Sequence, residues 1–579
     1  MVRPASDGRR HRRFRRDSKS IASVIAVELC AVAVMFASAV ESVQSFRPHI
    51  VVILADDMGW NDVGWHGSDQ IPTPNLDALA YNGVILNHHY VQPVCTPSRA
   101  ALMTGRYPIH TGLQGSPITP AEPAGLPYQF KIMPEYLRDL GYRTHIVGKW
   151  HLGYYRRPYL PLNRGFESFL GVHNGYCGYY DYMTQWEVDG NLISGFDLYK
   201  NETPAWEHVG RYATELYSSE AVRLIKDHDA TEPMFLYMAH TAVHAGHRGR
   251  FLEAPQGRTN SLKYILEPNR RTYAAMVTKL DDSVGELVDA LRERDMLSNT
   301  IILFMSDNGA PANIDALYPN WGSNFPLRGV KGTLWEGGVR SPTFVWSAQL
   351  QNNPRVSDQF IHISDWLPTL YTAAGGDSTN LPADLDGVDQ WNSILWNLPS
   401  RRFQALLNID ERERSAGIIT KFDTVDPTRR TWKLVVGSFG RGNVNGYYNS
   451  GKSPLNPAYD YNKVINCKAY RALTTLFEPT TKEYKMADLR RQATITCSSQ
   501  SPLGSNYEPK CDETPCLFNL ETDPCEKFDL SPNNTAIVQR LYNTLKLFRR
   551  SLVPQIHQPL DLPAADPARF NNTWSTWAF

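Results

Sequence analysis

Two stretches restrict the fold most: His49-Ile50-Val51-Val52-Ile53-Leu54-Ala55 and Thr300-Ile301-Ile302-Leu303-Phe304-Met305 are apolar without alternation. A strand with one wet face alternates apolar and polar residues, so an unbroken apolar run of this length reads as a strand covered on both faces. Each run stops at oxygen-bearing side chains, Asp56-Asp57-Met58-Gly59 in one case and Ser306-Asp307-Asn308-Gly309 in the other. Open α/β sheets gather their ligand sites at the carboxyl ends of strands. Two adjacent carboxylates repel each other unless a cation or a shared proton intervenes, and a hard divalent ion is the usual remedy. Asp307 and Asn308 add a carboxylate and an amide oxygen of the kind calcium or magnesium takes. Taken alone, the aspartate pair reads equally well as a solvated turn; the two strand ends together can converge on one ion.

The intervening pattern alternates. Helices are expected over residues 134–140, 212–228 and 273–294, and strands over 143–147 and 234–239. Further on, 342–346 reads as a strand and 366–374 as a helix, before a loop-rich stretch from Gly375 to about Thr431. This order predicts an α/β protein with a large mixed sheet flanked by helices. A smaller α+β domain follows from a strand at 431–436 and a final helix near 534–547. The expected division is therefore a leader at 1–46, a catalytic domain at 47–430 and a C-terminal domain at 431–579.

The leader carries Arg9, Arg10, Arg12, Arg13, Arg15 and Arg16, a short apolar run from Leu29 to Ala39, and the ending Ala37-Ser38-Ala39. That order resembles a secretory signal, with an uncleaved signal-anchor as the alternative, and it places the protein in the secretory pathway, lysosomal or secreted. Sequons at Asn201, Asn533 and Asn571 agree with that route and with a glycoprotein. Cys177, Cys467, Cys497, Cys511, Cys516 and Cys525 are six cysteines that a secreted chain could join in three disulfides. A zinc site is the weaker reading, because no second close Cys or His pair accompanies Cys511-x4-Cys516. Lysine plus arginine equals aspartate plus glutamate at 59 each, so attraction for an acidic substrate must come from a local pocket, and nucleic acid is not indicated.

The reactive stretch is Cys95-Thr96-Pro97-Ser98-Arg99-Ala100-Ala101-Leu102, which reads as a helix start with Thr96 or Ser98 as cap and Pro97 in the first turn. A cysteine there sits in partial positive charge, which favours a nucleophile and an anionic substrate; a buried structural cysteine or a disulfide partner is the plainer alternative. Lys149 and His151 in Gly-Lys-Trp-His-Leu-Gly would share one side of an extended segment. His244 follows a predicted strand and could protonate a leaving oxygen, with His240 and His247 as competitors. Lys331 occupies a glycine-rich loop suited to reaching an anion.

Cys-x-Pro-Ser-Arg followed by Thr104-Gly105-Arg106, with the aspartate pair, Gly-Lys-Trp-His, Asp-Asn-Gly and the late lysine in that order, resembles the sulfatase family. The resemblance covers nearly everything from Pro48 onward. Val147–Gly153, Arg164–Glu167, Pro326–Lys331, Leu334–Arg340 and Leu517–Pro524 draw it toward the arylsulfatase B group, the N-acetylgalactosamine-4-sulfatases. It implies an alkaline-phosphatase-like fold and conversion of Cys95 to formylglycine by a maturation enzyme. It also implies calcium held by Asp56, Asp57, Asp307, Asn308 and residue 95. Arg99 and Lys149 would hold and polarise the formylglycine, and Lys149 and Lys331 would hold the sulfate. His244 with Lys331 would assist the leaving group, and Asp307 or His151 would take protons from the two hydroxyls.

The implied reaction is hydrolysis of sulfate esters, with the 4-sulfate of N-acetylgalactosamine in dermatan or chondroitin sulfate as substrate and no stable membrane span after signal cleavage. A catalytically silent glycan-binding homologue and a phosphoesterase of the same superfamily are the alternatives; a two-zinc phosphoesterase would want more His and Asp ligands than Asp307-Asn308 supplies. The loop Ala121–Pro127 lacks the cysteines of the resembled group, so it is expected to be shaped differently.

Overall fold

A computed structural model of the chain describes residues 47–314, 318–422, 430–437, 439, 444–479, 482–497 and 509–578. The expected leader lies outside them. Among the described residues no helix is long and apolar enough to cross a membrane.

The larger sheet has ten strands: β1 (His49–Ala55), β2 (Val84–Tyr90), β3 (Arg143–Lys149), β4 (Ser168–Val172), β7 (Leu198–Lys200), β8 (Thr203–Pro204), β9 (Met234–Ala239), β10 (Thr300–Ser306), β11 (Phe344–Ser347) and β12 (Arg355–His362). A separate hairpin supplies β5 (Met183–Val188) and β6 (Asn191–Phe196). The order across the large sheet is β12-β2-β11-β10-β1-β9-β3-β4-β7-β8. Strand β1 pairs in parallel with both β10 and β9, β3 pairs in parallel with β9 and β4, and β11 runs antiparallel between β10 and β2. The sheet is therefore mixed, as expected, and the unbroken apolar runs are its central pair.

All seven residues of β1 and of β10 are buried. Val51, Ile53 and Ala55 enter the core on one face, with the long helix Pro268–Glu293 and the helix Ala213–Asp227. Ile50, Val52 and Leu54 enter the core on the other, with the helices Cys95–Thr104 and Trp366–Ala373. Burying each such side chain contributes about 1.5–3 kcal/mol, which is why alternation is absent here. Gly148 is required where β3 meets β9: its φ is +110°, and a Cβ would lie 1.8 Å from the Ala239 carbonyl oxygen.

The smaller sheet is antiparallel, in the order β13 (Gln404–Asp410), β14 (Ser415–Phe422), β15 (Arg430–Val436) and β16 (Cys516–Asn519), with the helix Thr535–Arg550 packed on it. The expected boundary at residue 430 falls between hydrogen-bonded β14 and β15, and the expected loop from Gly375 to Thr431 contains two of the four strands. Small residues Ser415, Ala416 and Gly417 open β14, so the apolar signal of a strand is weak there. The three expected disulfides are corrected to two among the described residues, Cys497–Cys525 and Cys511–Cys516. Cys177 and Cys467 are buried free thiols, and Cys467 accepts from the amide of Tyr470 at the start of a short helix. At the cysteine-free loop, Glu122 accepts from the amide of Thr119 at 3.0 Å and lies 2.6 Å from His557 Nδ1, so polar contacts tie this loop to the C-terminal segment.

A fully buried ion network joins the second sheet to the first. Lys433 of β15 lies 2.9 Å from Glu336 and 2.7 Å from Glu526, and Glu336 also meets Arg340 at 3.2 Å. Replacing Lys433→Met leaves two carboxylates facing one guanidinium, and equilibrium unfolding in urea should show a loss of about 3–5 kcal/mol. Asp77 tests a different charge: burial pushes its carboxyl up to about 7 despite hydrogen bonds from Tyr459 and Thr73. An acid raised in the folded state stabilises fully below its unfolded value, near 4, and that contribution disappears as pH rises through about 7. Buried histidines such as His89, lowered to about 3 by burial, pull the other way, so the readout is a difference. Relative to wild type, the melting temperature of Asp77→Asn should rise between pH 5 and pH 8.

Candidate active site

The carboxyl ends of β1, β9, β3 and β10 lie level on one edge of the sheet, with Ala55 opposite Ser306 and both Leu54 and Gly148 opposite Ala239. Each strand hands over polar residues there: Asp56 and Asp57 from β1, Asp307 and Asn308 from β10, Lys149 from β3, and His244 from the turn after β9. Cys95 enters after β2 as the first residue of its helix. The expected cap is corrected. Val94 occupies the cap position without a side-chain bond, and the Ser98 hydroxyl accepts from the Gln92 amide at 2.9 Å and donates to the Asp307 carbonyl. Ser98 thus ties this helix to the end of β10.

Charges alternate within the site. Lys149 Nζ donates to both oxygens of Asp56, at 2.9 and 2.7 Å, and Lys331 Nζ donates to Asp57 Oδ2 at 2.7 Å. Arg99 reaches Asp307 Oδ2 through Nε at 3.1 Å and through a terminal nitrogen at 2.8 Å, and also donates to the Lys149 carbonyl at 3.2 Å. All six charged residues are buried. Burial pushes Asp56 up, but Lys149, His244 and Arg99 outweigh it and hold the carboxyl below its ordinary range. Asp57 behaves alike, with Lys331 and His244 overcoming burial. Burial likewise pulls Lys331 down, and Asp57 lifts it well above the ordinary lysine value.

Of the three candidate histidines, His244 is the one that lies against Lys331 and Asp57. Its Nε2 lies 3.1 Å from Lys331 Nζ and 3.4 Å from Asp57 Oδ2, while its Nδ1 meets the Ala245 carbonyl at 2.6 Å. Burial and Lys331 lower His244, but Asp57 and Asp56 carry it above its ordinary value. His240 is a core residue lowered to about 3 by burial, and His247 pairs with Asp181 at 3.2 Å. The expected extended Lys149-x-His151 segment is corrected as well. The strand ends at Lys149 and His151 has φ +57°, so the two do not follow strand alternation. His151 is nevertheless buried, and burial and then Lys149 hold its imidazole well below the ordinary value.

Donor atoms of Asp56, Asp57, Cys95 and His244 all lie within 4.8 Å of one another, which is room for a metal ion. Asp307 and Asn308 border this group: Asp307 Oδ1 accepts from the Asp57 amide at 3.2 Å, and Asn308 Nδ2 donates to Asp57 Oδ1 at 2.6 Å. Among the described residues Asn308 Oδ1 is buried with no hydrogen-bond partner, which fits an oxygen donor to a cation. Three carboxylates and an amide oxygen are the donors a hard ion such as calcium prefers.

Three contributors were missed from sequence. Asn320 bridges the ends of β1 and β9, donating to the Asp57 carbonyl at 2.9 Å and the Val243 carbonyl at 3.1 Å. Tyr176 stacks on His244 with ring centroids 5.9 Å apart and planes 7° from parallel, and Tyr318 packs against it at 5.3 Å. Only the tyrosine- and glycine-rich run Gly175-Tyr176-Cys177-Gly178-Tyr179-Tyr180 hinted at an aromatic wall.

Residues 48–376 match the Sulfatase family and include every residue of this site. Arylsulfatase J of Mus musculus is 37% identical over 538 residues, covering 92% of this chain and 80% of that protein. N-acetylgalactosamine-6-sulfatase of Homo sapiens is 35% identical over 372 residues, covering 60% of this chain and 66% of that protein. Among solved structures, Ps i-CgsB aligns with a TM-score of 0.65 at 26% identity, covering 92% of this chain and 100% of that one, alone and in complex with k-i-k-neocarrahexaose. With the family match spanning more than half of the sequence and the site assembled from its motifs, the chain belongs to the sulfatases, the family of sulfate ester hydrolases.

Proposed function

We propose that the protein is a calcium- and formylglycine-dependent sulfatase of the secretory pathway acting on sulfated N-acetylgalactosamine, with the 4-sulfate of dermatan or chondroitin sulfate as the preferred ester. The observation that carries this reading is the placement of Cys95, in Cys-x-Pro-Ser-Arg, with its sulfur within 4.8 Å of donor atoms of Asp56, Asp57 and His244, in a cluster whose aspartates pair with the buried cations Lys149 and Lys331. Converted to hydrated formylglycine, residue 95 supplies two geminal hydroxyls, one to attack sulfur and one to release the sulfate. Asp56, Asp57, Asp307 and Asn308 would hold a calcium ion, which would supply positive charge near the attacking group and the sulfuryl oxygens.

The protein's own residues do the rest. Three carboxylates face Arg99, Lys149 and Lys331, so the fixed charges balance and a bound dication makes the site net positive, as an anionic ester requires. Lys149 and Lys331 bind sulfuryl oxygens, where charge accumulates in the transition state. His244 presents Nε2 next to Lys331, placed to protonate the departing sugar oxygen. His151 offers Nδ1 as base, because its Nε2 is engaged by the Ile118 carbonyl at 2.9 Å. Tyr176 and Tyr318 give a sugar ring an apolar face to rest on.

The relatives named N-acetylgalactosamine-6-sulfatase favour a second reading, in which the ester is on carbon 6. Peptide mass spectrometry of the Cys95 fragment from protein made in a secretory host should show formylglycine. That material should release sulfate from N-acetylgalactosamine 4-sulfate faster than from the 6-sulfate; the reverse order would move the preferred ester to carbon 6. Full conversion without hydrolysis of any sulfate ester would instead identify a silent binding protein. Chelation should abolish turnover and calcium restore it. Lys331→Ala should lower kcat/KM by about 10²–10³, the usual effect of removing one charge-stabilising group.

A further inference from the structure

Thr96 lies next to Cys95 in the first turn of its helix and is fully buried. Its hydroxyl donates to the carbonyl of His151 at 3.1 Å and accepts from the amide of Ile118 at 3.2 Å. The Ile118 carbonyl in turn lies 2.9 Å from His151 Nε2. These contacts close a ring: hydroxyl, Ile118 peptide, imidazole, and back through the His151 carbonyl to the hydroxyl. A carbonyl can only accept, so Nε2 carries the proton of the neutral imidazole and Nδ1 keeps a lone pair. Among the described residues Nδ1 has no partner although it is buried.

Two further facts show that this arrangement is imposed. His151 is a non-glycine residue in the left-handed region, a conformation that persists only where surrounding contacts enforce it. Its carbonyl is fastened by Thr96 and its amide donates to the His173 carbonyl at 3.1 Å. The chain also passes so close to the ring at Gly175 that a Cβ there would lie 2.5 Å from His151 Cε1 and 2.7 Å from Nε2. The imidazole is therefore held by close backbone at Gly175 and by the Ile118 carbonyl, and Thr96 ties both Ile118 and the His151 carbonyl to the nucleophile's own helix.

We propose that Thr96 is a positioning residue: its hydroxyl holds His151 and Ile118 in register so that the imidazole stands as the Nε2–H tautomer with Nδ1 free to act as base. The inference rests on the base role assigned to His151 above, and its test separates the two. Thr96→Val removes the hydroxyl at nearly constant volume, and Thr96→Ser retains it. The first readout is nitrogen-15 NMR of histidine-labelled protein, with the His151 signals identified by their loss in His151→Gln. Wild type and Thr96→Ser should show a protonated, slowly exchanging Nε2 and an unprotonated Nδ1. In Thr96→Val the Nε2 proton should exchange at least about tenfold faster, or both tautomers should be present.

The second readout is turnover of an aryl sulfate, normalised to formylglycine content measured by mass spectrometry. Thr96→Val should lower kcat by about 10–100-fold, as loss of a supporting hydrogen bond does elsewhere, with KM within about twofold and Thr96→Ser close to wild type. An unchanged tautomer and proton exchange in Thr96→Val would overturn the proposal. So would a variant that lost only melting temperature or formylglycine while kcat per converted site held. If wild type hydrolysed no sulfate ester but its His151 tautomer still depended on Thr96, the positioning role would stand and the sulfatase reading would fall.

Discussion

Asp56, Asp57 and Asp307 are three carboxylates with no exposure to solvent, and the structure around them is arranged to make that tolerable. A single unpaired buried carboxylate would cost several kcal/mol. Each here faces a cation from a different part of the chain: Lys149 from the end of β3, Lys331 from the loop after β10, and Arg99 from the helix that begins at Cys95. Bringing those parts together requires a parallel central sheet, because only parallel strands deliver several carboxyl ends to one edge. The same requirement buries β1 and β10 on both faces and so dictates their unbroken apolar sequences.

The second sheet contributes by bracing. Lys433 and Glu526 meet Glu336, which begins the turn Glu336–Val339, and the Gly338 carbonyl of that turn accepts from the Gly309 amide directly after Asn308. The Lys331 loop is tied in the same region, with the Gly332 amide donating to the Pro93 carbonyl just before Cys95. Lys433 and Glu526, each more than 100 residues beyond Asn308 in sequence, thus brace the segment that holds the oxygen donors. Such support is what keeps a preorganised site from relaxing around its own charges.

Much of this was legible in the residues. The runs at 49–55 and 300–305 announced the central strands, and the helices at 213–227 and 268–293 follow their 3.6-residue stripes closely. The site residues that follow a strongly apolar strand directly, Asp56, Asp57, Asp307 and Asn308, lie at the predicted sheet edge, whereas Lys331 comes from a loop well beyond β10 that carries no periodic signal. Legibility failed where signals were short or borrowed. The hairpin at 183–196 and the strand at 415–422 are too rich in polar or small residues to show apolar alternation. That Cys177 and Cys467 would each join a disulfide rested on the even count of cysteines in a secreted chain, and parity carries no information about distance.

By itself the sequence determined the chemical inventory: hard oxygen donors after two buried strands, a cysteine at a helix start, three cations and a set of histidines. These follow from local composition and periodicity, which tertiary contacts do not alter. Only the tertiary structure decided which histidine faces Lys331, which nitrogen of His151 is left free, and that Thr96, Asn320 and Tyr176 belong to the site. The reason is physical: those assignments depend on hydrogen bonds between atoms tens to hundreds of residues apart, and such distances are set by how the strands pair rather than by any residue's own preference.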